Sequence, residues 1–352
     1  MTRPLLAPLQ LGDLHLPNRI VMAPLTRARA VGADRVPNAL MARHYAQRAG
    51  FGLILSEATA VTPQGVGYAD TPGLWSEAQV EGWRGVTEAV HAAGGRIVAQ
   101  LWHVGRISDP VFLEGGLPVA PSAVAPAGEV SLVRPKRPYV TPRALALDEL
   151  PGIVAAYRQG AENARRAGFD GVEIHAANGY LIDQFLQDRS NQRTDAYGGP
   201  IENRMRLLLE IVDAAIEVWG AGRVGVHLAP RGDAHDMGDS DPQALFTQVA
   251  RELGRRGVAF LCLREHLGAG RLLPVIREAF GGAVIANEGL DPDSASALLE
   301  RGEAEAVAFG RLAIANPDLV ERIRQGAALN QPDPATFYGS GEAGYTDYPA
   351  LG

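Results

Sequence analysis

Short apolar runs recur along the chain, and each follows a stretch with the apolar spacing of a helix. Most of these stretches end in a glycine, at Gly50, Gly94, Gly168, Gly257 and Gly302. Glycine suits the left-handed residue that ends a helix. The apolar runs are continuous rather than alternating, which is typical of parallel strands buried on both faces. The pattern therefore predicts a repeated helix–strand unit.

Eight such runs are present, which predicts eight strands. They are Ile20–Ala23, Leu53–Leu55, Ile97–Leu101, Gly171–Ile174, Val224–Leu228, Val258–Leu263, Ala283–Ala286 and Ala306–Phe309. The segments between them have helical periodicity, most clearly over residues 201–220. Asp148 and Asp241 each precede such a segment, so we expect both to cap helix N-termini.

Eight strands alternating with helices predict a single (β/α)8 TIM barrel over residues 1–352. The alternative is a doubly wound open sheet, but no Gly-x-Gly-x-x-Gly follows the first strand. Residues 105–147, after the third strand, form a connection too long for an ordinary loop. We expect them to form an elaborated loop with a small hairpin over the barrel mouth.

Composition narrows the possible partners. The formal net charge of −7 argues against a general nucleic-acid surface. One cysteine, Cys262, provides neither a disulfide framework nor a cysteine-ligated cluster, and its apolar surroundings predict a buried side chain. No apolar stretch approaches the roughly 20 residues of a membrane span. The sequence thus predicts a cytoplasmic protein without nucleic-acid or membrane partners. We expect a monomer or a homodimer, and composition does not choose between them.

Polar residues lie at the carboxyl end of each of the eight predicted strands or just after it. They are Thr26, Glu57, Gln100, His175, His227, Arg264, Asn287 and Arg311. A single histidine at a strand end is more often a core residue than a catalyst, but a full ring of polar ends indicates an active site. Barrel enzymes place theirs at this face. Because no His-x-His pair or dense carboxylate cluster is present, no metal site is expected.

The last two strand ends favour a phosphate. Barrel phosphate sites form in the loops after strands seven and eight, where backbone N–H groups meet the anion. Gly289 and Gly310 permit close backbone approach there, and Arg311 supplies positive charge. The alternative is that both glycines are simple strand–helix turns.

Several motifs together resemble the Old Yellow Enzyme family along nearly the whole chain. They are Ala23-Pro-Leu-Thr-Arg27, Gln100-Leu-Trp-His103, Gly171-Val-Glu-Ile-His175-Ala-Ala-Asn178-Gly-Tyr180, Asn191-Gln-Arg-Thr-Asp195 with Glu202-Asn-Arg204, and Phe309-Gly-Arg311. The resemblance implies an FMN enzyme that takes hydride from NADPH or NADH. It implies ping-pong transfer through flavin N5 to activated C=C bonds of unsaturated ketones and aldehydes, maleimides and nitroalkenes, and reduction of nitro esters as a possible further activity.

The resemblance also implies roles for individual residues around FMN. Thr26 would bond the flavin 4-carbonyl, and Gln100 would hold the pyrimidine edge. Pro24, Leu25 and Ala58 would lie against the ring. The phosphate would lie at Gly289, Gly310 and Arg311, in agreement with the barrel argument above.

On the substrate side, His175 and Asn178 resemble the pair that donates hydrogen bonds to a substrate oxygen. Tyr180 resembles the general acid that protonates the substrate α-carbon. Tyr68, Trp102 and Tyr338 resemble substrate-facing aromatics, although each alone could be a core residue.

Two cofactor positions depart from the family pattern. His227 stands where the family usually has arginine, and Glu288 where it usually has glycine or another uncharged residue. A carboxylate beside a phosphate is repulsive unless its side chain turns away. Both departures bear on FMN affinity and redox tuning.

Two other function classes stay open at this point. One is a flavin-free barrel enzyme, such as a lyase or isomerase of a sugar phosphate. The other is a flavin-binding protein without catalysis. The sequence names neither the physiological substrate nor the preferred nicotinamide.

Overall fold

The computed structural model describes residues 4–131, 133, 135–232 and 234–351. Over these residues, eight parallel strands form a closed ring in chain order. The strands, β1 to β8, are Ile20–Met22, Leu53–Leu55, Ile97–Trp102, Val172–Ala176, Val224–Leu228, Phe260–Arg264, Val284–Asn287 and Ala306–Phe309. The ring closes where β8 pairs with β1. This confirms the barrel and excludes the open sheet.

Side chains that point into the barrel change character along the strands. Near the strand starts they are apolar, for example Val98 and Phe260. Closer to the carboxyl ends of the strands, the inward residues are polar and almost fully buried, namely Gln100, Glu173 and His227. Because alternate residues of a strand share a face, β3 contributes to both layers, through Val98 and Gln100.

An N-terminal hairpin covers one end of the barrel. Its strands Leu9–Leu11 and Leu14–Leu16 pair antiparallel, and their leucines pack with the inward residues Val21, Leu53 and Phe260. The backbone N–H of Asp13 in the hairpin turn donates to the carbonyl of Gly222, just before β5 begins. The hairpin therefore covers the amino ends of the strands and leaves the carboxyl ends for a site.

Helices surround the ring. In the described ranges, α1 to α11 are Ala39–Ala46, Glu77–Ala92, Leu150–Arg166, Leu181–Leu186, Ile201–Arg204, Arg206–Trp219, Pro242–Arg255, Leu273–Phe280, Pro292–Glu300, Arg311–Ala315 and Leu319–Gln325. The glycines predicted to end helices have positive φ at Gly94, Gly168, Gly257 and Gly302. Gly50 does not, so its predicted left-handed conformation is wrong.

Two details of the helix prediction need correction. The helix expected over residues 201–220 is divided at Met205 into α5 and α6. Asp148 does not cap α3, because it lies in a 3-10 turn whose Glu149 carboxylate instead accepts the N–H of Ala146. The Asp241 cap is confirmed: its carboxylate accepts the N–H of Ala244 at 2.9 Å.

The connection over residues 105–147 packs beside the carboxyl end of β3. Its described part contains an antiparallel bridge between Glu129 and Pro138. Val130 and Tyr139, next to this bridge, belong to one apolar cluster with Tyr68 and Trp102. The connection therefore contacts aromatic residues predicted to face substrate.

Within the described ranges, no helix combines the length and apolarity that crossing a bilayer needs.

Candidate active site

A cavity of about 560 Å³ opens at the carboxyl ends of the strands. This is within the range of small-molecule sites, roughly 300–1,000 Å³. Its lining includes the predicted cofactor residues Pro24, Leu25, Thr26, His227, Glu288, Gly289, Gly310 and Arg311. A neighbouring cavity of about 500 Å³ shares Thr26 and Tyr338 with it and is also lined by Tyr68 and Tyr180. Most predicted cofactor residues and some predicted substrate residues thus line two adjoining cavities, whereas Ala58, Gln100, Trp102 and His175 line neither of these two.

The loops after β1 and β8 lie against each other. A Cβ added to Gly310 would lie 3.4 Å from Leu25 Cδ2, which is close contact for a methyl group. Ala23, just before this loop, donates its N–H to the carbonyl of Phe309. Ala58, after β2, is buried beside the same mouth in the aromatic cluster.

A polar network lies in the barrel interior below the main cavity. Gln100 Nε2 donates to Glu173 Oε2 at 2.7 Å and lies 3.2 Å from His227 Nδ1. His227 Nδ1 is also 3.7 Å from Glu173 Oε2. With Nδ1 accepting from the Gln100 amide, a neutral His227 carries its proton on Nε2, which has no partner among the described residues.

Glu173 belongs to this network, and it was not predicted from the sequence. It is fully buried, and its second oxygen has no partner in the described part of the chain. The sequence contained a signal, because Glu173 precedes His175 by two residues on β4 and so shares its inward face.

Glu173, His227 and Cys262 offer atoms within 4.8 Å of one another. Burial raises the pKa of the Cys262 thiol well above its ordinary value, so it stays protonated. The Gln100 amide already contacts both other members. The group is therefore better described as a hydrogen-bond network than as a metal centre.

His175 points into the barrel at the end of β4. Its ring stacks between those of Trp102 and His227, with centroid distances of 6.4 and 5.5 Å. Burial, with the nearby charges of His227 and Arg264, lowers the pKa of His175 well below its ordinary value. The ring is therefore neutral and offers one N–H donor.

Asn178 follows in a turn with left-handed backbone, where φ is +60°. The next N–H, that of Gly179, donates to Asp183 Oδ2 at 2.8 Å. The carbonyl of Asn178 accepts from His235 Nδ1 at 2.7 Å. Asp183 lies on α4 and His235 in a 3-10 turn after β5, and neither contact was predicted from the sequence.

Tyr180 lies edge-on to Trp102 and His175, with ring centroids 5.0 and 5.1 Å apart. Its hydroxyl is 3.0 Å from that of Tyr68. Burial raises the pKa of Tyr180 above its ordinary value, so the phenol keeps its proton at neutral pH. Tyr68 and Trp102 are buried and stack on each other, whereas Tyr338 is 52% exposed at the mouth.

The loop after β7 shows how Glu288, one of the two departures from the family pattern, is accommodated. Glu288 has φ of +96°, in the region that favours glycine. Its carboxylate lies 2.7 Å from Arg264 Nη2 and 3.5 Å from His266 Nε2. The carboxylate is thus paired with the Arg264 guanidinium at the end of β6 and lies near the His266 ring. Gly289 also has positive φ, and a Cβ there would meet His266 at 2.9 Å.

Comparison with known proteins agrees with this geometry. The sequence model of the NADH:flavin oxidoreductase / NADH oxidase family matches residues 4–330. A probable flavin mononucleotide-dependent alkene reductase of Leishmania infantum is 45% identical over 99% of this chain and 97% of its own length. Morphinone reductase, solved in complex with tetrahydroNAD, is 52% identical with a TM-score of 0.95, over 99% of this chain and 98% of that one.

An old yellow enzyme homologue from Zymomonas mobilis is 44% identical with a TM-score of 0.95, over 99% of both chains. The resemblance predicted from the motifs is therefore confirmed. Because the family model matches most of the chain and these relatives align over nearly all of it, the chain belongs to the NADH:flavin oxidoreductase / NADH oxidase family.

Proposed function

We propose that this protein is an FMN-dependent ene-reductase. It takes hydride from NADPH or NADH and passes it to activated C=C bonds of unsaturated ketones and aldehydes, maleimides and nitroalkenes, and it also reduces nitro esters. The observation that carries the proposal is the meeting of a neutral His175, Asn178 and a protonated Tyr180 beside the main cavity. We propose that both substrates enter this site in turn, which gives ping-pong exchange.

The residues at the cavity fit FMN. The unpartnered Nε2 of His227 lies below a cavity of suitable size, and Gly310 leaves space that a Cβ would fill against Leu25. We propose that FMN is held by Pro24, Leu25, Thr26, Ala58, Gln100, His227, Glu288, Gly289, Gly310 and Arg311. Glu288 would contribute its backbone N–H, since its carboxylate faces Arg264. When bound, FMN supplies hydride acceptance and donation at N5.

The chain's own residues would act on the substrate. His175 and Asn178 donate hydrogen bonds to the substrate oxygen, where negative charge grows as hydride arrives at the β-carbon. Donors aimed at such an oxygen contribute about 3 kcal/mol each to lowering the barrier. Tyr180 gives its proton to the α-carbon. Tyr68, Trp102 and Tyr338 bound the space beside this oxygen and limit access of water.

Absorbance spectra distinguish the proposed enzyme from the two other function classes, a flavin-free barrel enzyme and a flavin-binding protein without catalysis. We expect the purified protein to show flavin absorbance, to bleach anaerobically with NADPH or NADH, and to recover its colour with an enone. A colourless protein that binds no added FMN would favour the flavin-free barrel enzyme. Bleaching without reoxidation by any enone, maleimide, nitroalkene or nitro ester would favour a non-catalytic flavoprotein.

We also propose that residues 1–352 form one barrel domain, with residues 105–147 inserted over its mouth. Packing of Val130 and Tyr139 against Tyr68 and Trp102 supports the insertion.

We further propose that the protein is either a monomer or a homodimer. Size-exclusion chromatography with light scattering distinguishes these two states.

A further inference from the structure

Arg264 joins two loops of the candidate site. It is the last residue of β6, and its guanidinium reaches into the main cavity. Nη1 donates to Asn178 Oδ1 at 2.7 Å, and Nη2 donates to Glu288 Oε1 at 2.7 Å. One side chain therefore connects the turn after β4 with the turn after β7.

The hydrogen bond between Arg264 and Asn178 decides which way the side-chain amide of Asn178 points. A side-chain amide has an acceptor oxygen on one side and an NH₂ donor on the other, and the two orientations have nearly the same shape. Arginine has only donors. The amide oxygen must therefore face Arg264, which leaves the NH₂ of Asn178 free to donate on its other side.

We infer that Arg264, held in place by Glu288, is a positioning residue that fixes Asn178 as a hydrogen-bond donor towards the substrate oxygen. The inference rests on the proposed function, because it assigns Arg264 to the same oxyanion site. Without Arg264, the amide can turn over and present its oxygen to the substrate oxygen, where the two acceptors repel each other.

Glu288 supports this assignment. Its backbone has φ of +96°, where a residue with a Cβ is strained, and such strain persists at sites that the surroundings hold firmly. The Glu288 carboxylate forms an ion pair with Arg264 and lies near His266. A glycine would relieve the strain but would leave the guanidinium without its anionic partner.

The test uses the holoenzyme and a double-mutant cycle. Arg264→Gln replaces a donor-only group by one that also accepts, and Arg264→Lys keeps a donor-only cation. Arg271→Gln is the matched charge control. Arg271 lies in the loop before α8, and it also forms an ion pair with a glutamate, Glu303. We expect Arg264→Gln to lower kcat/KM for an enone at least tenfold, Arg264→Lys to restore part of it, and Arg271→Gln to leave it unchanged.

In an Asn178→Ala background, the same Arg264→Gln change should alter kcat/KM less than twofold, because the group it orients is gone. An equal loss in both backgrounds would show that Arg264 acts independently of Asn178. No loss in either background would also overturn the inference. FMN content and melting temperature, measured for every variant, identify any variant that is simply misfolded.

A second readout does not depend on turnover. With ¹⁵N-asparagine labelling, the side-chain NH₂ signals of Asn178 are assigned by their loss in Asn178→Ala. They should shift in Arg264→Gln and stay in place in Arg271→Gln. Unshifted signals in Arg264→Gln overturn the inference. Shifted signals in a protein that reduces no alkene would support the contact and refute only the proposed function.

Discussion

Burial at the strand ends determines the protonation state of the residues proposed to act on substrate. Desolvation lowers the pKa of His175 and raises the pKa of Tyr180, so both are neutral at physiological pH. Each then offers a hydrogen without carrying a charge. A neutral donor suits an oxygen that becomes negative only in the transition state, and a phenol that keeps its proton suits a general acid.

Tyr180→Phe tests the general acid. Flavin reduction by NADPH should proceed at the wild-type rate, because that half-reaction needs no proton from the protein. Reoxidation by a simple enone should slow by about 10²-fold or more. Stopped-flow absorbance measures both half-reactions in one protein, so the first is the control for the second. Equal slowing of both would refute the general-acid role.

We expect flavin reduction to depend on pH through the residue at position 227. Arginine keeps its charge at every working pH, whereas histidine changes charge near neutrality. Reduction leaves negative charge on the flavin, which favours proton uptake by His227. The midpoint potential should therefore fall more steeply with pH than in His227→Arg, by up to about 30 mV per pH unit for one proton per two electrons. His227→Arg should bind FMN at least as tightly.

Potentiometric titration across neutral pH measures both proteins. Parallel curves would mean that His227 stays neutral and only donates its Nε2–H. In that case a neighbouring arginine that lines the cavity, such as Arg264, would provide the positive charge.

At the scale of elements, buried carboxylates fix the loops that carry the site. Asp183 accepts the Gly179 N–H and so holds the turn after β4. Burial raises the pKa of Asp183 to about 7. Glu265, after β6, accepts the N–H groups of Leu272 and Leu273 at 2.7 and 2.9 Å. These would otherwise be unpaired donors at the start of α8, whose own cap residue provides no side-chain acceptor.

Glu265→Ala should therefore destabilise the protein by about 1–3 kcal/mol, because two buried N–H groups lose their acceptor. Glu265→Gln should lose less, since one oxygen remains. Urea unfolding of the FMN-loaded protein provides the measurement. Glu278→Ala removes an exposed carboxylate from the same helix and serves as the control. A similar small effect of Glu265→Ala and Glu278→Ala would contradict the capping role.

At the scale of the whole molecule, the C-terminal segment returns to the first barrel loop. Arg29 donates to the carbonyl of Phe337 at 2.9 Å, and its guanidinium lies 4.7 Å from the Tyr345 ring centroid. Tyr345 in turn stacks on His44 of α1, with centroids 3.8 Å apart. These contacts hold Tyr338 at the cavity mouth and make the position of this aromatic depend on both ends of the chain.

Global stability should depend on pH through Glu57. Burial raises the pKa of this carboxyl to about 7, against an ordinary value near 4.5. Between these values the folded state holds a proton that the unfolded state has released. The stability this contributes is therefore present at low pH and is lost as pH rises through about 7.

Wild type should lose up to about 3 kcal/mol between pH 5 and 8 relative to Glu57→Gln. Urea unfolding at both pH values measures this difference, and groups that titrate alike in both proteins cancel. Glu88→Gln, at an exposed position of α2, should follow wild type. A Glu57→Gln protein with the same pH dependence as wild type would show that Glu57 does not hold the proton.

The sequence by itself determined the order of the strands and helices, because its evidence is local. A strand buried on both faces needs a continuous apolar run, and some helix starts have a side chain that accepts the first N–H groups, as Asp241 does. The motifs likewise placed His175, Asn178 and Tyr180 at one strand end, since they lie within six residues of one another.

The tertiary structure alone decided which side chains meet. Tyr68 and Tyr180 are 112 residues apart in sequence, and Arg264 lies 86 residues from Asn178. Neither spacing carries a local pattern. Their contacts follow from the register of strands closed into a ring and from loop conformations such as that of Glu288, where φ is +96°. Ring closure is a long-range property, because each strand's position depends on all the others, so no single segment of sequence encodes it.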